Sequence, residues 1–205
     1  MGMTDDLYSQ LAGGPMQQMG QQLGVGQAQL GGAVAAALPL LIGALGRNAG
    51  QPQGAESLFG ALERDHAGAG GIGEVLGAVL GGQQSRQADG LGQLGHIFGG
   101  RQPQAVAGLG QATGLGNDKA QMLLKMLAPI VLAFLAKRMF GGDKANGGAS
   151  PKALGDVLGR EQEQVRQQGG ISGGLLGAVL DQDGDGQLGL GDLLKMGGSV
   201  LGGRR

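Results

Sequence analysis

The side chains with the clearest chemistry are the acids of residues 181–192. Aspartate fills the first, third, fifth and twelfth positions of this stretch, as Asp181, Asp183, Asp185 and Asp192. Ca²⁺ takes six to eight oxygen ligands, and an EF-hand loop provides them from its positions 1, 3, 5, 7, 9 and 12. Gln187, at position 7, offers its backbone carbonyl. The spacing therefore predicts one calcium-binding loop of the EF-hand or dockerin type.

The other positions of the loop agree with this interpretation, with one departure. Gly186 permits a sharp turn at position 6, and Leu188 at position 8 supplies the apolar residue that joins the loop to a core. Gly189 at position 9 has no side-chain ligand, so a water would bridge there. Asp192 stands where an EF-hand has a bidentate Glu, so we expect a modest calcium affinity with Mg²⁺ as a competitor. The alternative is an Asp-rich turn without a metal, because Asp and Gly favour turns.

Helices must position this loop, and the sequence contains two copies of the same helical pattern. Gly24-Val25-Gly26 recurs 90 residues later as Gly114-Leu115-Gly116, and Pro39 recurs as Pro129. An apolar stripe with the spacing of one helix face is repeated as well. Its members are Leu30, Val34, Leu38, Leu41 and Leu45 in the first copy and Ala120, Leu124, Ala128, Val131 and Leu135 in the second.

A further segment repeats at a slightly larger spacing. Leu-Gly-Ala-Val-Leu occurs at residues 76–80 and again at 176–180, and residues 58–62 match residues 154–158. We see no run of alternating β-branched residues of the kind that predicts a strand. The pattern therefore predicts an all-α fold made of duplicated helical repeats.

Glycine-rich stretches divide the predicted repeats. We assign residues 1–82 to repeat one, 83–89 to a linker and 90–205 to repeat two, which includes the predicted calcium loop. A proline inside a helix removes a hydrogen bond and costs about 3 kcal/mol. The helices that contain Pro39 and Pro129 are therefore either kinked or split into two shorter helices that meet at the proline.

Residues 19–48, 58–66 and 91–139 resemble a bacterial family, the YidB-like domain-of-unknown-function family 937. The resemblance depends on the order of three motifs, which are Ala36-Ala37-Leu38-Pro39-Leu40-Leu41, Leu62-Glu63-Arg64-Asp65-His66 and Met126-Leu127-Ala128-Pro129-Ile130-Val131. It implies an all-helical fold with a homeodomain-like arrangement of helices. It implies no established activity.

Composition excludes several classes of function. The 205 residues carry a net charge of −1 and no cysteine, so bulk attraction to nucleic acid, disulfides and thiol chemistry are not expected. The acidic N-terminal residues do not form a secretory signal. The longest apolar runs, 33–45 and 126–136, are shorter than the roughly 20 residues that cross a bilayer. We predict a cytoplasmic protein without a transmembrane segment.

Three functions remain to be compared. The first is a non-enzymatic helical protein with one calcium loop and an unknown protein partner or self-association, because no set of nucleophile, base and orienting residue is visible. The second is a helix-turn-helix DNA-binding module around residues 19–30 and 113–122, which is disfavoured because few cations lie there. The third is a membrane-surface or self-assembling protein that uses the proline-containing helices.

A cluster of polar residues could suggest a metal or acid–base site, and it consists of Glu63, Arg64, Asp65 and His66. We interpret it as an ordinary helix end, since the other histidine, His96, lies in a distant segment.

Overall fold

The computed structural model describes residues 2–65, 72–81, 89–141 and 149–167. Within these ranges the secondary structure is helical and contains no strand, which confirms the all-α prediction. The α-helices are α1 (Met3–Leu11), α2 (Gly14–Leu23), α3 (Gln27–Ala49), α4 (Pro52–Asp65), α5 (Ile72–Leu80), α6 (Gly90–Phe98), α7 (Gln102–Thr113), α8 (Asn117–Phe140) and α9 (Pro151–Gln167), and a short 3-10 helix (Gly99–Arg101) joins α6 to α7.

Two long apolar helices, α3 and α8, form the centre of the fold. Every residue from 36 to 46 in α3 and from 126 to 136 in α8 is buried. A helix that is apolar on all sides has no face for water, so neighbours must surround it completely. All members of both predicted stripes are buried, which confirms that prediction. The shorter helices are those that surround α3 and α8.

The helices of the two repeats occur in the same order and have matching ends. Helix α2 ends at Gly24 and α7 ends at Gly114, and both glycines adopt left-handed backbone conformations, with φ of +60° and +67°. A residue with a Cβ is strained in this conformation, which explains why glycine stands at both turns. The matched turns confirm the predicted duplication of the segment from α2 to α3 as α7 to α8.

The structure also decides how the two prolines are accommodated. Pro39 lies inside α3 and Pro129 inside α8, at equivalent places in helices of 23 and 24 residues. Neither helix is split at its proline, so the reading of two short helices is wrong. The predicted equivalence of the two prolines is confirmed.

The alignment of α4 with α9 differs from the one expected from the sequence. Pro52 begins α4 and Pro151 begins α9, which is a spacing of 99 rather than the 96 implied by matching 58–62 to 154–158. Leu62 thereby becomes the equivalent of Glu161. A shift of three residues is nearly one helical turn, so the apolar pattern alone could not distinguish the two alignments.

The two repeats pack into each other rather than side by side. Helix α9 packs mainly on α3 of the first repeat, and α5 packs mainly on α8 of the second. Buried residues from both repeats belong to one continuous apolar cluster. The repeats are therefore units of sequence that share a common core.

A buried carboxylate joins the start of the described chain to α9. Glu161 is only 6% exposed and is the one buried polar or charged side chain in the described residues. Its carboxylate accepts hydrogen bonds from the backbone N–H of Met3 and Thr4, both at 2.9 Å, and from the Thr4 hydroxyl at 2.7 Å. These amides belong to the first turn of α1, which has no intrahelical acceptors for them. Glu161 therefore caps α1 from a distant helix, and we call this contact the closed junction.

Glycine 2 is required by the same contact. A Cβ built on Gly2 would lie 2.9 Å from Glu161 Oε1, closer than real Cβ contacts come. The Gly2 N–H donates to Asp5 Oδ2 at 3.1 Å, which adds a local cap to the distant one. A larger residue at position 2 would push the carboxylate away from the amides.

The two turn glycines should be costly to replace. We expect Gly24→Ala and Gly114→Ala each to lower the free energy of unfolding by about 1 kcal/mol, because a left-handed conformation disfavours a Cβ. The control is Gly32→Ala, an exposed position of α3 where an added Cβ meets nothing within 4 Å. It should raise the stability by up to about 1 kcal/mol. Urea denaturation followed by circular dichroism measures all three, and equal signs for Gly24→Ala and Gly32→Ala would contradict the turn geometry.

The closed junction should contribute measurably to stability. We expect Glu161→Gln to lower the free energy of unfolding by about 1–3 kcal/mol, because an amide cannot accept bonds from all three donors and leaves one of them buried and unpaired. Glu163→Gln on the same helix removes an equal charge from an exposed position and is the matched control. Urea denaturation measures both variants. If Glu161→Gln lowers the free energy of unfolding no more than Glu163→Gln does, the closed junction does not contribute to stability.

Candidate functional sites

The predicted calcium ligands lie outside the described residues. Asp181, Asp183, Asp185, Gln187 and Asp192 all follow Gln167, the last residue of α9. Within the described ranges, no three His, Cys, Asp or Glu side chains are grouped closely enough to hold a metal ion. The calcium loop therefore stays a prediction from the sequence.

Helix α5 is the described counterpart of the segment before that loop. Its last five residues, 76–80, are identical in sequence to residues 176–180, which immediately precede Asp181. Helix α5 ends where the Gly81 N–H donates to the Gly77 carbonyl at 2.8 Å, and the residues that follow in the sequence are Gly82, Gln83 and Gln84. The first repeat therefore contains this helix but has no acidic residues directly after it.

The two helix-turn-helix segments face each other at their turns. Gln29 Nε2 donates to the carbonyl of Gly114 at 3.4 Å, and Lys119 Nζ donates to the carbonyl of Gly24 at 3.1 Å. Gln29 and Lys119 are equivalent at the spacing of 90, as are the two glycines. The contact is therefore reciprocal, as across a two-fold axis, and we call it the crossed pair.

The crossed pair weakens the DNA-binding alternative. A recognition helix reads bases from its first turns and needs cations for phosphates. In α3 the first turns offer Gln29, which is engaged with the other repeat, and the first cation is Arg47 in the last turn. In α8 the early cation Lys119 is engaged in the same way. Two of the few groups that could contact DNA, Gln29 and Lys119, are thus used to join the repeats.

Two described helices, α3 and α8, are long and apolar enough to cross a bilayer, although the sequence runs had suggested shorter apolar segments. A buried core helix of a water-soluble protein passes the same test, and 67% and 78% of the two apolar windows are buried inside the fold. The crossed pair brings the starts of both helices together, and Leu45 and Leu132 line one cleft further along. The helices therefore run in the same general direction.

This direction matters for the membrane alternative. Two consecutive spans must run in opposite directions unless a third span returns the chain. Helices α4, α5, α6 and α7, which lie between α3 and α8, have 14 residues at most, too few to cross roughly 30 Å of hydrocarbon. Insertion of both α3 and α8 would require the fold to open and one helix to reverse.

A cleft between α4 and α6 is a feature that the sequence did not predict. Its volume is about 540 Å³. Buried apolar side chains form its floor, and they are Leu45, Leu62, Ile97 and Leu132. Polar residues stand at its edges, and they include Asn48, Glu56, Ser57, Arg64, Asp89 and His96.

The cleft brings together residues that the sequence separates. Arg64 comes from the last turn of α4 and His96 from the last turn of α6, and both are exposed. The Asn48 side chain donates to the His96 carbonyl at 3.1 Å, which fixes the end of α6 beside the end of α3. Glu63 is also exposed on α4, while His66 lies outside the described residues. Distance along the sequence was therefore a poor guide to the surroundings of His96.

The cleft between α4 and α6 corresponds to the closed junction between α9 and α1. Helix α6 is the counterpart of α1, α4 is the counterpart of α9, and Leu62 stands where α9 has Glu161. The start of α6 is capped instead by its own Asp89, whose Oδ1 accepts from the Gly92 N–H at 3.1 Å. Helix α1 is also joined to α8 by an ion pair between Arg138 Nη1 and Asp6 Oδ2, at 3.5 Å. One junction is closed by charged groups and the other is open.

DNA binding should be weak. At near-physiological salt we expect no saturable binding to duplex DNA in the nanomolar range, because few counterions would be released. Fluorescence anisotropy with a labelled mixed-sequence duplex measures this, and a repeat at low salt shows whether any residual binding is electrostatic. Nanomolar, sequence-specific binding would make the helix-turn-helix alternative the leading one.

Comparison with known families identifies the chain. Residues 5–138 match the model of DUF937, described as a bacterial protein of unknown function. No curated protein and no solved structure matches the chain. The homeodomain-like arrangement therefore stays an expectation of the resemblance. Since the match covers 134 of the 205 residues and includes α3, the cleft helices and most of α8, the chain belongs to the DUF937 family.

Proposed function

We propose that this DUF937 protein is a non-enzymatic helical protein that binds one calcium ion through Asp181, Asp183, Asp185, Gln187 and Asp192. The observation that carries the proposal is the spacing of these residues, with Gly186 at the turn. The residues supply carboxylate and carbonyl oxygens, which are the ligands that Ca²⁺ prefers. Four carboxylates so close in sequence repel each other unless a cation offsets their charge.

The internal duplication supports a specific role for the acids. Both repeats contain Leu-Gly-Ala-Val-Leu, and in the first it forms the end of a helix that needs no acids after it. The acidic residues of the second repeat are therefore additional to the requirements of the helix. Metal binding is a function that such an addition provides.

In this proposal the bound ion either stabilises the structure of the chain or supports its interaction with a partner. Binding of a metal by a segment without a large core of its own adds directly to the folding free energy of that segment. The partner is then another protein or a second copy of the chain, and the location is the cytoplasm. Membrane attachment is the alternative, and flotation of the protein with liposomes would favour it.

Calcium binding can be measured directly on the full chain. We expect calorimetry to show one Ca²⁺ per chain with an affinity in the micromolar range or weaker, because Asp192 is shorter than the Glu of tight sites. Mg²⁺ should lower the apparent affinity. The double variant Asp183→Ala, Asp185→Ala should bind no calcium. Asp118→Ala, Asp156→Ala removes the same charge from exposed positions on α8 and α9 and should bind as the wild type does.

Amide hydrogen exchange provides a second readout of the same proposal. Calcium should slow exchange across residues 171–201, and a chelator should reverse the effect. The absence of both calorimetric heat and any chelator-sensitive exchange in this range would exclude the calcium loop.

A further inference from the structure

We propose that the cleft between α4 and α6 binds a small molecule with an apolar body and a carboxylate head. Its volume of about 540 Å³ lies in the range of small-molecule sites, about 300–1,000 Å³. The floor consists of side chains that are at most 7% exposed, namely Leu45, Leu62, Ile97 and Leu132. An apolar floor with a few polar groups at the edge is the usual composition of a ligand site.

The cationic group of the cleft is Arg64. Its guanidinium lies back along α4, with Nη1 at 3.5 Å from the position of a Cβ built on Gly60, which also lines the cleft. A guanidinium donates two parallel hydrogen bonds to a carboxylate, which gives both affinity and orientation. His96 on the opposite helix adds a second nitrogen donor at the edge. The cleft therefore has a group that selects for an anion.

The two acidic residues that line the cleft, Glu56 and Asp89, do not remove its preference for an anion. Asp89 is engaged as the cap of α6, where the positive end of the helix offsets its charge. Glu56 precedes Arg64 by two helical turns on α4, a separation of about 12 Å along the axis. The Arg64 guanidinium reaches back to the level of Gly60, about one turn from Glu56. Both side chains are nevertheless exposed to water, and no ion pair joins them in the described part of the chain.

The closed junction shows how a group with an apolar stem and a carboxylate head fits between two such helices. In that junction the Glu161 carboxylate from α9 lies against the start of α1 and is held by three donors. In the cleft the residue at the corresponding position of α4 is Leu62, so α4 brings no carboxylate toward the start of α6, which is capped by Asp89 instead. The space remains open and an apolar surface replaces the stem of the glutamate. A ligand with an apolar body and a terminal carboxylate has the corresponding shape and charge.

Octanoate is the probe that tests the proposal, with 1-octanol and octylamine as comparisons of equal chain length. We expect saturable binding of octanoate to the full chain by NMR titration or calorimetry, and weaker binding of the other two. Arg64→Gln should reduce octanoate affinity by about tenfold or more, which is the effect of losing a charged hydrogen-bond donor. The affinity for 1-octanol should be unchanged in Arg64→Gln. Arg160→Gln on α9 removes the same charge from an exposed position outside the cleft and is the control.

A second variant tests the location without changing charge. Ala61 lines the cleft and is partly exposed, so Ala61→Phe should fill the space and abolish octanoate binding while the helical content stays unchanged. No saturable binding of octanoate would overturn the proposal. Equal affinity for octanol and octanoate, tighter binding of octylamine, or octanoate binding that survives both Arg64→Gln and Ala61→Phe would overturn it as well.

Discussion

The fold depends on the need to keep the completely apolar middle sections of two helices away from water. Residues 36–46 and 126–136 present apolar atoms in every direction, so a single partner surface cannot cover either segment. The shorter helices of both repeats are arranged to meet that need, and this is why α9 covers α3 and α5 covers α8. The chain has one tyrosine, four phenylalanines and no tryptophan, so the cover is made of small aliphatic side chains and depends on many neighbours.

The sequence predicted the parts of this fold that depend on local chemistry. The matched glycine turns at residues 24 and 114, the stripes and the equivalent prolines followed from residue type and spacing. The relation of α4 to α9 did not, because a helix repeats nearly every three or four residues and an apolar pattern fits two alignments equally well. Alignment by the helix starts at Pro52 and Pro151 pairs Leu62 with Glu161.

Contacts between distant segments could not be predicted from the sequence either. The burial of Glu161 was not predicted because an acidic residue is normally exposed. Its position does continue the helix face formed by the buried Leu154, Leu158 and Val165. His96 and Arg64 are 32 positions apart in the sequence, and only the packing of α6 beside α4 brings them to one cleft. The calcium ligands are the opposite case, because a metal loop is a local motif whose spacing can be recognised without any fold.

The crossed pair of Gln29 and Lys119 has an evolutionary consequence. In a symmetric homodimer each interface residue occurs twice, so a change at one junction is imposed on the other. In a fused duplicate the two copies are free to change separately. Gln29 and Lys119 make the same contact in the two copies, whereas position 62 is apolar and position 161 is acidic. A chain that contains both copies can therefore have one closed interface and one open one, which two identical subunits cannot.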